Sequence, residues 1–153
     1  MSTRCQIIIE GADVVLYRHS DGYPEGPHGV VKILKKIVMN FVKNRCFDEC
    51  YLPAHIIADM IVAYKKGQDA MYRDAVKRGE NPSKVSYDRG KYLGYGVEAY
   101  NAEADAAFHS DIEFLYVVKK NGTIEVRQCF TDSNGPTNIG NTKLVKTVKY
   151  GKK

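Results

Sequence analysis

The chain has 153 residues, of which 44% are apolar and 27% charged, with a formal net charge of +5. This is the composition of one globular domain, residues 1–153, and the modest basic excess is not the footprint of a dedicated DNA-binding domain. No apolar run is long enough to span a bilayer, and MSTRCQIIIE lacks the apolar stretch of a signal peptide, so a cytoplasmic protein with no membrane contact is expected.

Arg4 to Glu10 (RCQIIIE) and Val14 to His19 (VVLYRH) are short β-like runs separated by Gly11-Ala12-Asp13, the pattern of a hairpin. On the second run Val15, Tyr17 and His19 share one face, and Leu16 and Arg18 share the other. Gly22, Pro24, Gly26, Pro27 and Gly29 make the next segment a loop. A helix follows. Val30, Val31, Ile33, Leu34, Ile37, Val38, Phe41 and Val42 form its apolar stripe, with Lys32, Lys35, Lys36 and Lys43 between them. Pro53 opens a second helix with Ile57, Met60, Ile61 and Tyr64 as its stripe, read as one long helix toward Gly79, with a break at Gly67 as the alternative.

Residues 80–110 are irregular and tyrosine-rich, with a short helix expected over Val97 to Ala107. Ile112 to Lys119 and Thr123 to Phe130 flank Asn121-Gly122, a strong hairpin signal. A two-residue turn there pairs Val117 with Val126 and Leu115 with Gln128. Thr142 to Tyr150 reads as a last strand. From Lys143 the chain is a basic tail with no acid, read as a solvated edge strand, with attraction for a polyanion as the alternative. The order predicts an α+β fold: an antiparallel sheet built from an N-terminal and a C-terminal hairpin, with two helices packed on one face.

Cys5 and Cys129 lie in strand-like runs, where a thiol behaves as a small hydrophobe. The CFDEC spacing of Cys46 and Cys50 suits neither a zinc knuckle nor a redox motif, so reduced, unligated thiols are expected, with a Cys46/Cys50 metal site as the alternative.

Ser2-Thr3-Arg4 before a short apolar strand, then Tyr17-Arg18-His19-x-Asp21-Gly22-Tyr23-Pro24, resembles a group of small uncharacterised proteins found mainly in bacteriophages and prophages. Ser110 to Tyr116 and Gly122 to Val126 look like the second hairpin of that group. The resemblance covers roughly the first thirty residues and the 108–127 hairpin. It implies a phage accessory context, in which small proteins act against host defence by binding a host protein or sequestering a nucleotide signal. It carries over no catalytic residue.

Three constellations bear on chemistry. His19 and Asp21 recur as His109 and Asp111 in a second His-Ser-Asp tripeptide. Converging, the four could bind a divalent metal or serve as a general acid and base, as in a phosphodiesterase-like hydrolase. The plainer reading makes Asp21 and Asp111 turn residues. Next, the Gly22–Gly29 loop feeds a helix N-terminus, whose amides and dipole suit an anion, supported by Arg18 and His28. Finally, Tyr87, Tyr92, Tyr95 and Tyr100 interleave with Arg89 and Lys91, a pattern that stacks on bases and holds phosphates, or contacts a protein.

The leading expectation is a non-enzymatic binding protein for an anionic, nucleotide-like ligand or a host protein. Its ligand-binding residues would be Arg18, His19, Asp21, Tyr23, His28, Arg89, Lys91, Tyr92 and Tyr95. The alternatives are the His19, Asp21, His109 and Asp111 hydrolase and a pure protein–protein inhibitor of a host defence factor. No cofactor is implied, nucleic acid is weakly supported, and the apolar helix stripes are compatible with a homo-oligomer.

Overall fold

A computed structural model describes residues 3–81, 93–100, 111–130 and 139–151. Its strands are β1 (Cys5–Ile9), β2 (Val14–Arg18), β3 (Tyr95–Ala99), β4 (Phe114–Val118), β5 (Thr123–Cys129) and β6 (Thr142–Lys149). They form one six-stranded sheet in the order β3-β2-β1-β4-β5-β6. Helices α1 (Val30–Asn44) and α2 (Leu52–Lys77) pack on one face, α2 toward β2 and α1 toward β6. The fold is α+β, with the two expected hairpins joined by a parallel pairing of β1 with β4.

β1 explains the join. All five of its residues are buried, so it must be covered on both faces and paired on both edges. Side chains alternate across the sheet, and the core divides accordingly. Cys5, Ile7, Ile9, Leu16, Tyr116, Val118, Ile124 and Val126 pack with Leu34, Val38, Ile56 and Met60 of the helices. Ile8, Val15, Ile112, Leu115, Val117 and Cys129 form a second cluster on the opposite face.

Three expectations are corrected. The β4–β5 turn has three residues, not two. Lys119 N–H donates to the Thr123 carbonyl at 2.8 Å, and Gly122 alone in the turn takes a positive φ, 90°. Tyr116 therefore pairs with Val126 and Leu115 with Arg127, one residue away from the two-residue register. The core decides this: cross-strand partners share a face, so the observed register puts Ile124 and Val126 under the helices. Second, α2 is the one long helix expected, unbroken at Gly67, but its fully buried stripe is Leu52, Ile56 and Met60, and of the expected stripe Ile57, Ile61 and Tyr64 are only half-buried. Third, Val97–Ala99 is strand, not helix. The open edge of β2 recruits Tyr95–Ala99, and His19 N–H to Gly94 O (2.8 Å) and Tyr100 N–H to Asp13 O (2.7 Å) extend the ladder. Residues 101–107 of the expected helix lie outside the described residues.

The Ser20–Gly29 loop is fastened to the sheet. The buried Tyr116 hydroxyl donates to Gly22 O at 2.7 Å, and Gly22 N–H donates to Thr3 O at 2.9 Å. A Cβ at Gly22 would meet Cys5 N at 2.8 Å and the Arg4 carbonyl carbon at 2.9 Å, both backbone atoms that cannot swing away. At Gly67 a Cβ would meet nothing within 4 Å. Gly22→Ala should therefore destabilise the chain by about 1–3 kcal/mol through overpacking, whereas Gly67→Ala should stabilise it by about 0.5–1 kcal/mol through helix propensity. Urea unfolding midpoints of the two variants, moving in opposite directions, check this.

Burial pushes the Cys5 thiol from 9.0 up to about 12, although Arg18 nearby pulls the other way. The native state therefore favours the neutral thiol. That contribution to stability is complete below pH 9 and is lost as pH rises toward 12. Denaturant unfolding between pH 8 and 11 should show a fall that Cys5→Ala lessens, with the buried Cys129 thiol, likewise pushed up to about 12, contributing part of the remainder.

Candidate functional site

Arg18 ends β2 on the helix-facing side, as the period-two reading of VVLYRH requires. It is only 5% exposed. Its guanidinium lies 5.8 Å from the centre of the Tyr95 ring on the neighbouring strand, and Nη2 donates to the His28 carbonyl at 3.5 Å. Nε has no hydrogen-bond partner, and among the described residues no carboxylate forms an ion pair with Arg18. Guanidinium cannot shed its proton to escape burial. A buried cation without an anion is unfavourable by several kcal/mol, about the effective desolvation penalty of one ion.

Arg18 lines a cavity of about 270 Å³ between the sheet end, the start of α1 and the middle of α2. Lys32 and Lys36 also line it, one helical turn apart on α1, and Met60 and Tyr64 close it from α2. Among the described residues no Asp or Glu lines it. The volume is near the lower end of ordinary ligand pockets, about 300–1,000 Å³. Burial also raises the Tyr95 phenol pKa, against the pull of Arg18, so its ring is a neutral platform at physiological pH.

The loop does not offer the first amides of α1 to an anion, as the sequence suggested. Val30 N–H bonds Tyr23 O at 2.9 Å and Val31 N–H bonds Pro24 O at 3.2 Å. The loop caps the helix with its own carbonyls, and Gly29 at the cap has no side chain to do so. What remains at this end is the positive dipole, with no acid in the first turn.

The other face of β2 carries a separate group. Arg4 Nε lies 3.4 Å from His19 Nδ1 and 3.3 Å from Asp111 Oδ2, and the Tyr17 hydroxyl is 3.4 Å from His19 Nδ1. The two His-Ser-Asp segments thus approach each other through His19 and Asp111, with a guanidinium between them. Arg4 lies between His19 and Asp111, and no group of three or more His, Cys, Asp or Glu is placed to hold a metal among the described residues. Burial, then Asp111, raises the Tyr17 phenol pKa, with Arg4 opposing.

The structure therefore divides the residues that the sequence grouped. Arg18, His28 and Tyr95 gather at the helix-side cavity, while His19 sits on the opposite face of the sheet. Asp21 is a turn residue with φ 54°, and it makes no polar contact with the cavity or with Arg4 among the described residues. Tyr23 is half-buried and supplies the carbonyl that caps Val30; its ring lies 3.3 Å from where a Gly26 Cβ would stand. Arg89, Lys91, Tyr92 and His109 lie outside the described residues. Sequence reasoning missed Lys32, Lys36 and Tyr64 as cavity residues and Arg4 as the bridge. The i, i+4 spacing of Lys32 and Lys36 beside the loop was the available signal.

Compared with known proteins, the chain matches no family model, no curated protein and no solved structure.

The Arg4 bridge makes a direct prediction. Adding Mn²⁺ or Zn²⁺ should leave the thermal midpoint of the wild-type chain unchanged. A rise that His19→Ala abolishes would contradict it.

Proposed function

We propose that this chain is a non-catalytic binding protein for a small phosphate-bearing, nucleotide-like anion, held in the cavity beneath α1. The observation that carries the reading is Arg18: a buried guanidinium with no carboxylate partner among the described residues, in a cavity whose described lining holds two lysines and no acid. An oxyanion would accept from the arginine and be flanked by Lys32 and Lys36. Tyr64 in the lining supplies aromatic surface for a base, and the Tyr95 ring backs the Arg18 guanidinium. Sequestration of a nucleotide signal in a phage accessory setting, implied by the YRHxDGYP resemblance, belongs to this proposal. The hydrolase reading takes second place, because its described residues, His19 and Asp111, are spanned by Arg4.

The test is titration calorimetry of the wild-type chain with inorganic phosphate and a panel of linear and cyclic nucleotides. At least one should bind, be recovered chemically unchanged, and lose affinity by about 2–5 kcal/mol in Arg18→Met, the usual result of truncating a buried charge partner. Turnover of the ligand, or equal binding by Arg18→Met, would contradict the proposal.

A further inference from the structure

The outer side of the helix pair carries a larger concavity, about 880 Å³, between α1 and α2. Ile33, Ile37, Met39 and Val62 contribute its apolar lining, and Met39 (46%) and Val62 (49%) are substantially exposed. Lys32, Lys35, Lys36, Lys43 and Lys66 also line it, with Asp59 the one acid among its described lining residues. None of these lysines makes an ion pair among the described residues. The groove is therefore apolar within and uncompensated in charge along its edges.

That combination selects an occupant. Bases need aromatic side chains to stack on, and the described lining has none, so a single-stranded nucleic acid gains only charge contacts there. A bilayer surface favours an amphipathic face that inserts into it rather than a concave one. A helix laid in a groove satisfies both features at once: its apolar stripe covers Ile33, Ile37, Met39 and Val62, and acids flanking the stripe meet the lysines. The spacing of Lys36 and Lys43 sharpens this. Seven helical residues separate them by about 10.5 Å, so a partner running alongside α1 would place acids about two turns apart.

We propose that the α1–α2 groove docks an acidic amphipathic helix of a partner protein. This goes beyond the anion cavity, with which the groove shares Lys32, Ile33, Lys36 and Ala63 but not Arg18.

The experiment is selection of a random displayed-peptide library, with peptides of about 15–18 residues to match α1, on the full wild-type chain. Selected peptides are then measured by fluorescence anisotropy. They should show apolar residues at helical spacing flanked by Asp or Glu. They should bind about tenfold or more weakly to Lys36→Glu/Lys66→Glu and to Val62→Asp, in line with loss of complementary charge and of an apolar anchor. Arg18→Met should bind them as the wild type does, which separates this outcome from failure of the anion site. Circular dichroism should show each variant folded. The inference is overturned if no peptide is enriched, if the enriched peptides lack acids, or if both groove variants keep full affinity. It is also overturned if a single-stranded oligonucleotide or vesicles of phosphatidylserine bind the groove more tightly than the selected peptides.

Discussion

The parallel pairing of β1 with β4 is the constraint on which the architecture rests. It joins an N-terminal hairpin to a C-terminal one across about a hundred residues of sequence, and loop closure over that length is entropically unfavourable. Burial of every β1 residue and of Leu115, Tyr116, Val117 and Val118 offsets it. The same pairing brings Tyr116 under the Ser20–Gly29 loop, where its hydroxyl takes the Gly22 carbonyl. That loop sets where α1 begins. The position of the lysines on α1, relative to the end of β2, thus follows from a pairing on the far side of the loop.

Within that frame, one alternation of side chains separates two chemistries. Arg18 turns toward the helices, and His19 turns away from them toward Arg4 and Asp111. Among the described residues, the first environment holds a cation without an anion. The second already contains its own neutralising pair, partly exposed, and such pairs contribute little to stability, about 0–1 kcal/mol. The uncompensated group is the one that calls for a ligand. A hydrophobic residue at position 18 would pack under Tyr95 without that penalty, so stability alone does not explain the arginine.

Much of this was legible in the residues. RCQIIIE and VVLYRH read as strands because β-branched runs bounded by turn residues have few other solutions, and the face assignment of Arg18 followed from period two. α1 was legible from its apolar stripe. The register of β4 with β5 was not. An Asn-Gly pair fits more than one turn length, and the core position of Val126 made the choice. β3 was hidden because Tyr95–Ala99 has no strong propensity of its own and is strand by virtue of the β2 edge. The cavity was half legible: Arg18 and His28 were singled out, but grouping them with His19 ignored which face each side chain takes. Arg4 sits in the first strand's approach, and only the three-dimensional pairing of β1 with β4 brings it between His19 and Asp111.

The most direct test of the central claim is the thermal midpoint of Arg18→Met against wild type, with and without phosphate. If Arg18 is a cation held for a ligand, the variant should melt higher in anion-free buffer. Removing an uncompensated buried charge is worth about 1–4 kcal/mol by analogy with buried ionic groups replaced by apolar ones. At this chain length each kcal/mol corresponds to about 2–4 °C. Added phosphate should raise the midpoint of the wild type alone. A variant that melts lower than wild type without anion, and responds equally to phosphate, would make Arg18 a structural residue and contradict the account.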